Sequence, residues 1–96
     1  MKSSQFAFGA ESDNLFETIL KLENKEECEN FFRDLCTLSE LKAMTERWEI
    51  VRKLEKGLPY RQIAAETGAS TATVTRVAHW IENGQGGYRL ALQRRK

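Results

Sequence analysis

The 96-residue chain has one proline, one histidine and two cysteines, and it contains no long apolar run. Each shortage removes a class of protein. A bilayer span needs about 20 consecutive apolar residues, and the opening MKSSQFAFGAES lacks an apolar segment of signal-peptide length. A cytoplasmic protein with no membrane attachment is expected. Placed on one helix, Cys28 and Cys36 would stand about 12 Å apart, beyond the roughly 7 Å that a disulfide tolerates. Two buried thiols in a reducing compartment are expected instead. With His79 as the lone histidine, the ligands for a zinc site are too few. No phosphate loop, Cys/His pairing or evident acidic pair offers a reaction centre. No metal, cofactor or catalytic residue is therefore expected.

What is present is enough for one small globular domain. Hydrophobic residues make up 41% and charged residues 30%, which separates the chain from disordered sequences. Domains of this size often gain stability by pairing. The net charge of +1 conceals an asymmetry. Residues 1–46 hold five Lys/Arg and ten Asp/Glu, a balance of −5, whereas residues 47–96 hold ten and four, a balance of +6. A polyanionic partner would suit the second half.

That basic half contains the stretch around which the chain is organised, PYRQIAAETGASTATVTRVAHWI, Pro59 to Ile81. It suggests two short helices joined by a tight turn. Ile63 and Ala64 are apolar positions on the first, and Gly68 can take the left-handed conformation that ends it. Ser70 suits the N-cap of the second, in which Val74, Val77, Ala78 and Ile81 form one apolar stripe. A small residue, a glycine and two valines in this register match a helix-turn-helix over residues 59–83. Thr67 departs from the pattern, because an apolar residue is more usual before the glycine. The same spacing also suits an αα-hairpin that only builds a core. The exposed set Thr71, Ala72, Thr73, Thr75 and Arg76 favours the first reading, since small side chains bearing hydroxyls and methyls can approach base edges closely.

In chain order, residues 1–10 are expected to be a flexible terminus, followed by a single domain over 11–96. Ser12 or Asp13 can cap a helix carrying Leu15, Phe16, Ile19, Leu20 and Leu22. Asn24 with Glu27 signals a second start, and the next helix carries Cys28, Phe31, Phe32, Leu35 and Cys36. Residues 11–36 thus present more apolar surface than the short chain after them can cover, and a dimer interface is expected there. A buried monomeric core is the alternative. Thr37 with Glu40 repeats the capping-box spacing, with Ser39 as a competing cap. A long helix follows with Leu41, Met44, Trp48, Ile50, Val51 and Leu54 inward and Gly57 as its stop. Glu49 and Lys53 have a spacing that favours pairing. After Asn83-Gly84 and Gly86-Gly87, the segment around Tyr88, Leu90, Ala91 and Leu92 suggests a short last helix. Arg94-Arg95-Lys96 forms a basic tail. Every element reads as helix.

The segments FFRDLCTLSEL, ERWEIVRKLEKG and YRQIAAETGASTATVTRV resemble the tryptophan repressor superfamily, and within it the YerC/YecD branch. LFETILKLENKEEC extends the resemblance over nearly the whole chain. The resemblance implies an all-α bundle of about six helices, interlocked as a homodimer whose two reading heads enter successive major grooves about 34 Å apart. Its implied DNA-binding residues are Arg61, Thr71, Ala72, Thr73 and Thr75. Its corepressor site is implied at Thr37, Arg47 and Arg76, where guanidinium groups can clamp a carboxylate or an indole plane. Small residues that make room for tryptophan in the family are replaced here by Val77 and Trp80. A ligand-pocket remnant that no longer takes tryptophan is expected, with Trp80 packed into or across the region. The function expected is a dimeric, sequence-specific regulator of double-stranded DNA, a repressor rather than an enzyme. The alternative is a module that uses its helix-turn-helix to dock a protein.

Overall fold

The computed structural model describes residues 8–95. Among them are six α-helices and no strand: α1 (Ala10–Leu20), α2 (Lys25–Leu35), α3 (Leu38–Glu55), α4 (Tyr60–Thr67), α5 (Thr71–Asn83) and α6 (Gly87–Arg95). The all-helical expectation holds for these residues. Residues 1–7 of the expected flexible terminus, and Lys96 of the basic tail, lie outside the described residues. The chain divides into two compact units, residues 1–37 and 38–96.

In the first unit, α1 begins at Ala10 with Gly9 as its N-cap, not at Ser12 or Asp13. Asp13 donates its amide to the Gly9 carbonyl at 2.9 Å, which closes the first turn. Glu11 and Asp13 therefore lie inside that turn, where negative charge complements the helix dipole. The capping box at α2 forms as expected, with one variation. The Asn24 side chain accepts from the Glu27 amide at 2.9 Å, and the Glu27 carboxylate accepts from the amide of Glu23, one residue before the cap. Cys36 is extended and lies just beyond α2, so the two free cysteines do not share a helix. They are partly exposed, not buried. Neither α1 nor α2 buries a single side chain, and Leu20 is 83% exposed.

The second unit has a true interior. Ile50 and Val51 of α3, Ile63 of α4 and Val74 of α5 have no exposed surface, and Val77 and Leu92 complete the buried set. Trp48, Leu54, Leu58 and Tyr88 pack partly against it. The helices α3, α4 and α5 pack pairwise around this cluster. Gly57, at a φ of 80°, ends α3 in a Schellman arrangement. Its amide bonds the Leu54 carbonyl at 3.0 Å, and the Leu58 amide reaches the Lys53 carbonyl at 3.3 Å. Lys53 does not pair with Glu49. Its ammonium bonds Glu66 of α4 at 2.7 Å, while Glu49 pairs with Arg52 at 3.0 Å. The crossing of α3 and α4 brings an acid within reach of Lys53, and that pair braces the two helices. At the far end, Gly84 closes α5 by donating to the Trp80 carbonyl at 2.9 Å.

Two measurable consequences follow from these contacts. A β-carbon on Gly84 would lie 2.4 Å from the Trp80 carbonyl oxygen, a backbone atom that cannot swing away. Gly84→Ala is expected to destabilise the protein by about 1–3 kcal/mol, the usual range for overpacking, read by chemical denaturation. The Lys53 ammonium, and after it the Gln62 amide, hold the Glu66 carboxyl below its ordinary pKa. The associated stability is present above the ordinary carboxylate pKa and is lost as pH falls through the lowered value. In Lys53→Met the Glu66 titration, followed by NMR, is expected to move up toward the usual carboxylate range. An unmoved titration would show that Lys53 is not the cause.

Candidate nucleic-acid interface

The helix-turn-helix is assembled by short local bonds. Gly68 stands at a φ of 83°, in the left-handed region, and donates to the Ala64 carbonyl at 2.9 Å. Thr67, the departure from the usual pattern, has a role in the turn. Its hydroxyl donates to the Ile63 carbonyl at 2.8 Å and accepts from the Ala69 amide at 3.3 Å. An apolar residue there could do neither. Ser70 then caps α5 by accepting from the Thr73 amide at 3.1 Å. These bonds set the turn, and burial of Val74 and Val77 sets the rotation of α5 about its axis.

With that rotation, Thr71, Ala72, Thr75 and Arg76 are exposed on α5, and Thr73 is partly so. Arg61 is exposed in the first turn of α4. All five residues expected to touch DNA therefore lie in one unit and have accessible surface. Their hydroxyls are not equivalent. The Thr75 hydroxyl donates to the Thr71 carbonyl at 3.0 Å, leaving its methyl and its acceptor capacity available. The Thr73 hydroxyl lies 3.1 Å from that of Ser70, within the cap. The Thr71 hydroxyl makes no hydrogen bond among the described residues.

Charge pairing sharpens the same surface. Residues 47–96 contain four acids, and three of them are engaged by cations away from the expected contact set. Glu49 pairs with Arg52, Glu66 with Lys53 and Glu82 with Arg89. Arg47, Arg61 and Arg76 have no acidic partner among the described residues. Positive charge left uncompensated on an exposed surface attracts polyanions from a distance.

Beside the reading helix lies a cavity of about 540 Å³. Glu46 and Arg47 of α3, Thr73, Arg76 and Trp80 of α5 and Tyr88 of α6 line it. The two arginines expected at a ligand-pocket remnant are thus brought together, whereas Thr37 belongs to the other unit. Trp80 borders this space without filling it. It is 52% exposed and forms a wall, with its ring edge-on to His79 at 5.3 Å between centroids. Position 80 falls at the margin of the buried stripe, about 60° around the helix from Val77, so the large ring stands at the rim. Glu46 and Tyr88 were not singled out from the sequence as cavity residues. Glu46 sits among ordinary helix-surface charges, and Tyr88 arrives from a helix whose placement no local pattern reveals.

Comparison with known proteins agrees with this geometry. The family profile described as Trp repressor protein matches residues 10–96. The uncharacterized protein YerC of Bacillus subtilis (strain 168) is 47% identical over 88 residues, spanning 92% of this chain and 85% of YerC. The crystal structure of a TrpR-like protein from Eubacterium eligens superposes with a TM-score of 0.84 at 37% identity. That match covers 88% of this chain and 87% of the other. A Staphylococcus aureus crystal structure, provisionally assigned as a Trp repressor, gives a TM-score of 0.86 at 42% identity, over 91% and 87% of the two chains. A helix-turn-helix of this register, in an all-helical chain matched along nearly its whole length, places the protein in the Trp repressor family.

Proposed function

We propose that this protein is a cytoplasmic, homodimeric transcriptional repressor that binds double-stranded DNA sequence-specifically and does not depend on tryptophan. Family membership supports DNA-binding regulation at the general level. The observation that carries the specific reading is the face of α5. It offers threonines, an alanine and an arginine, and the neighbouring guanidinium groups have no acidic partner among the described residues. Hydroxyls and methyls of this size suit base edges in the major groove, while free arginines suit phosphates. A protein-docking module is the less favoured reading because the first two turns of α5 expose threonines, an alanine and an arginine, and the exposed Trp80 stands apart from them at the cavity rim. Tryptophan independence is supported by Val77 and Trp80, whose bulk stands at the cavity where smaller side chains would leave more room.

The assigned roles separate in a binding experiment. Thr73→Ala or Thr75→Ala is expected to cost about 1–3 kcal/mol on the preferred operator and to relax selectivity at one base position. Arg61→Ala is expected to weaken binding to every duplex and to flatten the salt dependence by about one unit. Equal, sequence-independent effects from both kinds of variant would refute the division of labour.

Dimerisation is supported by α1 and α2, which carry apolar faces yet bury no side chain. Phe31 and Phe32 stack edge to face at 5.6 Å and stand at the centre of the α2 face. Phe32→Asp is expected to yield monomers or insoluble protein, checked by sedimentation velocity. An unmodified protein that sediments as a monomer at micromolar concentration would overturn the dimer.

A further inference from the structure

We infer that the groove lined by the end of α3, the end of α5 and α6 is a binding site for a hydrophobic cation, an ammonium or phosphonium centre carrying aromatic or alkyl groups. The inference stands apart from the DNA-binding reading and uses none of its contact residues. The groove is a cavity of about 610 Å³, larger than the one beside Arg47 and Arg76, and no residue lines both. A volume of that size falls within the range that small-molecule sites occupy. Leu54, Leu58, Ile81 and Leu92 give it apolar walls, and Tyr60 of α4, 43% exposed, adds an aromatic ring. Leu92 belongs to the buried cluster and the other three aliphatic side chains pack against it, so the core sets the shape of the walls.

The sign of the charge follows from the acids. Residues 47–96 hold four, and two of them, Glu55 and Glu82, line this groove. Arg89 is the one cation lining it among the described residues. Its guanidinium pairs with Glu82 at 2.9 Å and donates to the Ile81 carbonyl at 3.1 Å. Two carboxylates against one guanidinium leave −1 here, in a half of the chain whose balance is +6. Apolar walls with a surplus carboxylate select an occupant that is both apolar and positive, and an aromatic ring attracts a cation placed over its face. The apolar faces of the first unit fit less well. α1 contains Glu11, Asp13 and Glu17 and no base, and α2 carries four acids against two bases, so either helix of a second copy would bring like charge to the groove. Ala78, Ile81 and Glu82 are on α5, so an occupant touches the helix whose first turns form the proposed reading face.

The test titrates the full chain, by isothermal calorimetry, with tetraphenylphosphonium and with tetraphenylborate, two ions of matching shape and opposite sign. Tetraphenylphosphonium is expected to bind with micromolar affinity and tetraphenylborate with about tenfold lower affinity. Glu55→Gln and Glu82→Gln are each expected to weaken the cation several-fold and to strengthen the borate. Glu49→Gln makes the same charge change outside the groove and is expected to alter neither. Tyr60→Leu is expected to weaken the cation, whereas Tyr60→Phe, which keeps the ring, is expected to preserve its binding. The comparison of signs is made on the unmodified chain, so a variant that fails to fold does not remove it. Equal affinity for the two ions would show an apolar groove without charge selection, and the inference falls. It falls equally if neither ion binds at millimolar concentration, or if Glu55→Gln and Glu82→Gln bind the cation as tightly as the unmodified chain. If the cation binds only to chain made monomeric by Phe32→Asp, a second copy covers the groove in solution and the inference is overturned.

Discussion

Ile50, Val51, Ile63 and Val74 meet where solvent is fully excluded from the second unit. Each branched side chain contributes on the order of 1.5–3 kcal/mol by leaving water, and together they join α3, α4 and α5. The consequence for function is orientation. A helix that presents side chains to a groove must be held in rotation as well as position. Burial of Val74, and of Val77 one turn later, fixes which residues of α5 face outward. Thr71, Ala72 and Thr75 are exposed because the stripe on the opposite side is not.

The turn between α4 and α5 shows how little chain is needed to set the crossing. Gly68 supplies a backbone angle that a β-carbon would strain. Thr67 bonds a carbonyl behind it and an amide ahead of it, and Ser70 caps the helix that follows. Three consecutive sources of rigidity in four residues leave the reading helix few ways to tilt. The long-range brace between Lys53 and Glu66 adds to them from outside the turn.

Electrostatics then divides the basic half of the chain by purpose. Arg52, Lys53 and Arg89 are absorbed in pairs that join or pad helices. Arg47, Arg61 and Arg76, exposed on α3, α4 and α5, have no acidic partner among the described residues. Sequence composition shows only the sum of these two populations. Their separation depends on which acids lie within about 4 Å of which bases, set within α3 for Arg52 and Glu49 and between helices for Lys53 with Glu66 and Arg89 with Glu82.

The elements legible in the sequence were those specified within one turn of chain. Asn24 with Glu27, Gly57, Gly68, Ser70 and the Val74–Val77 stripe are local patterns, and each takes the conformation its chemistry favours. The start of α1 at Ala10 departs from the Ser12/Asp13 cap pattern because both residues suit a first helical turn as well as a cap, and Gly9 offers no side-chain signal. Cys28 and Cys36 shared a helical spacing, yet the helix ended between them. Pairing of Lys53 with Glu66 in place of Glu49 was invisible because 13 residues separate the partners. The position of Trp80 was out of reach for the same reason. Its distance from the stripe could be read along the helix, but the cavity it borders is bounded by Arg47 on α3 and Tyr88 on α6. Local hydrogen bonding and side-chain periodicity are properties of the chain and can be read from it. Charge partners on different helices, and cavity walls, are properties of how helices cross, and the packed core of the second unit sets that crossing.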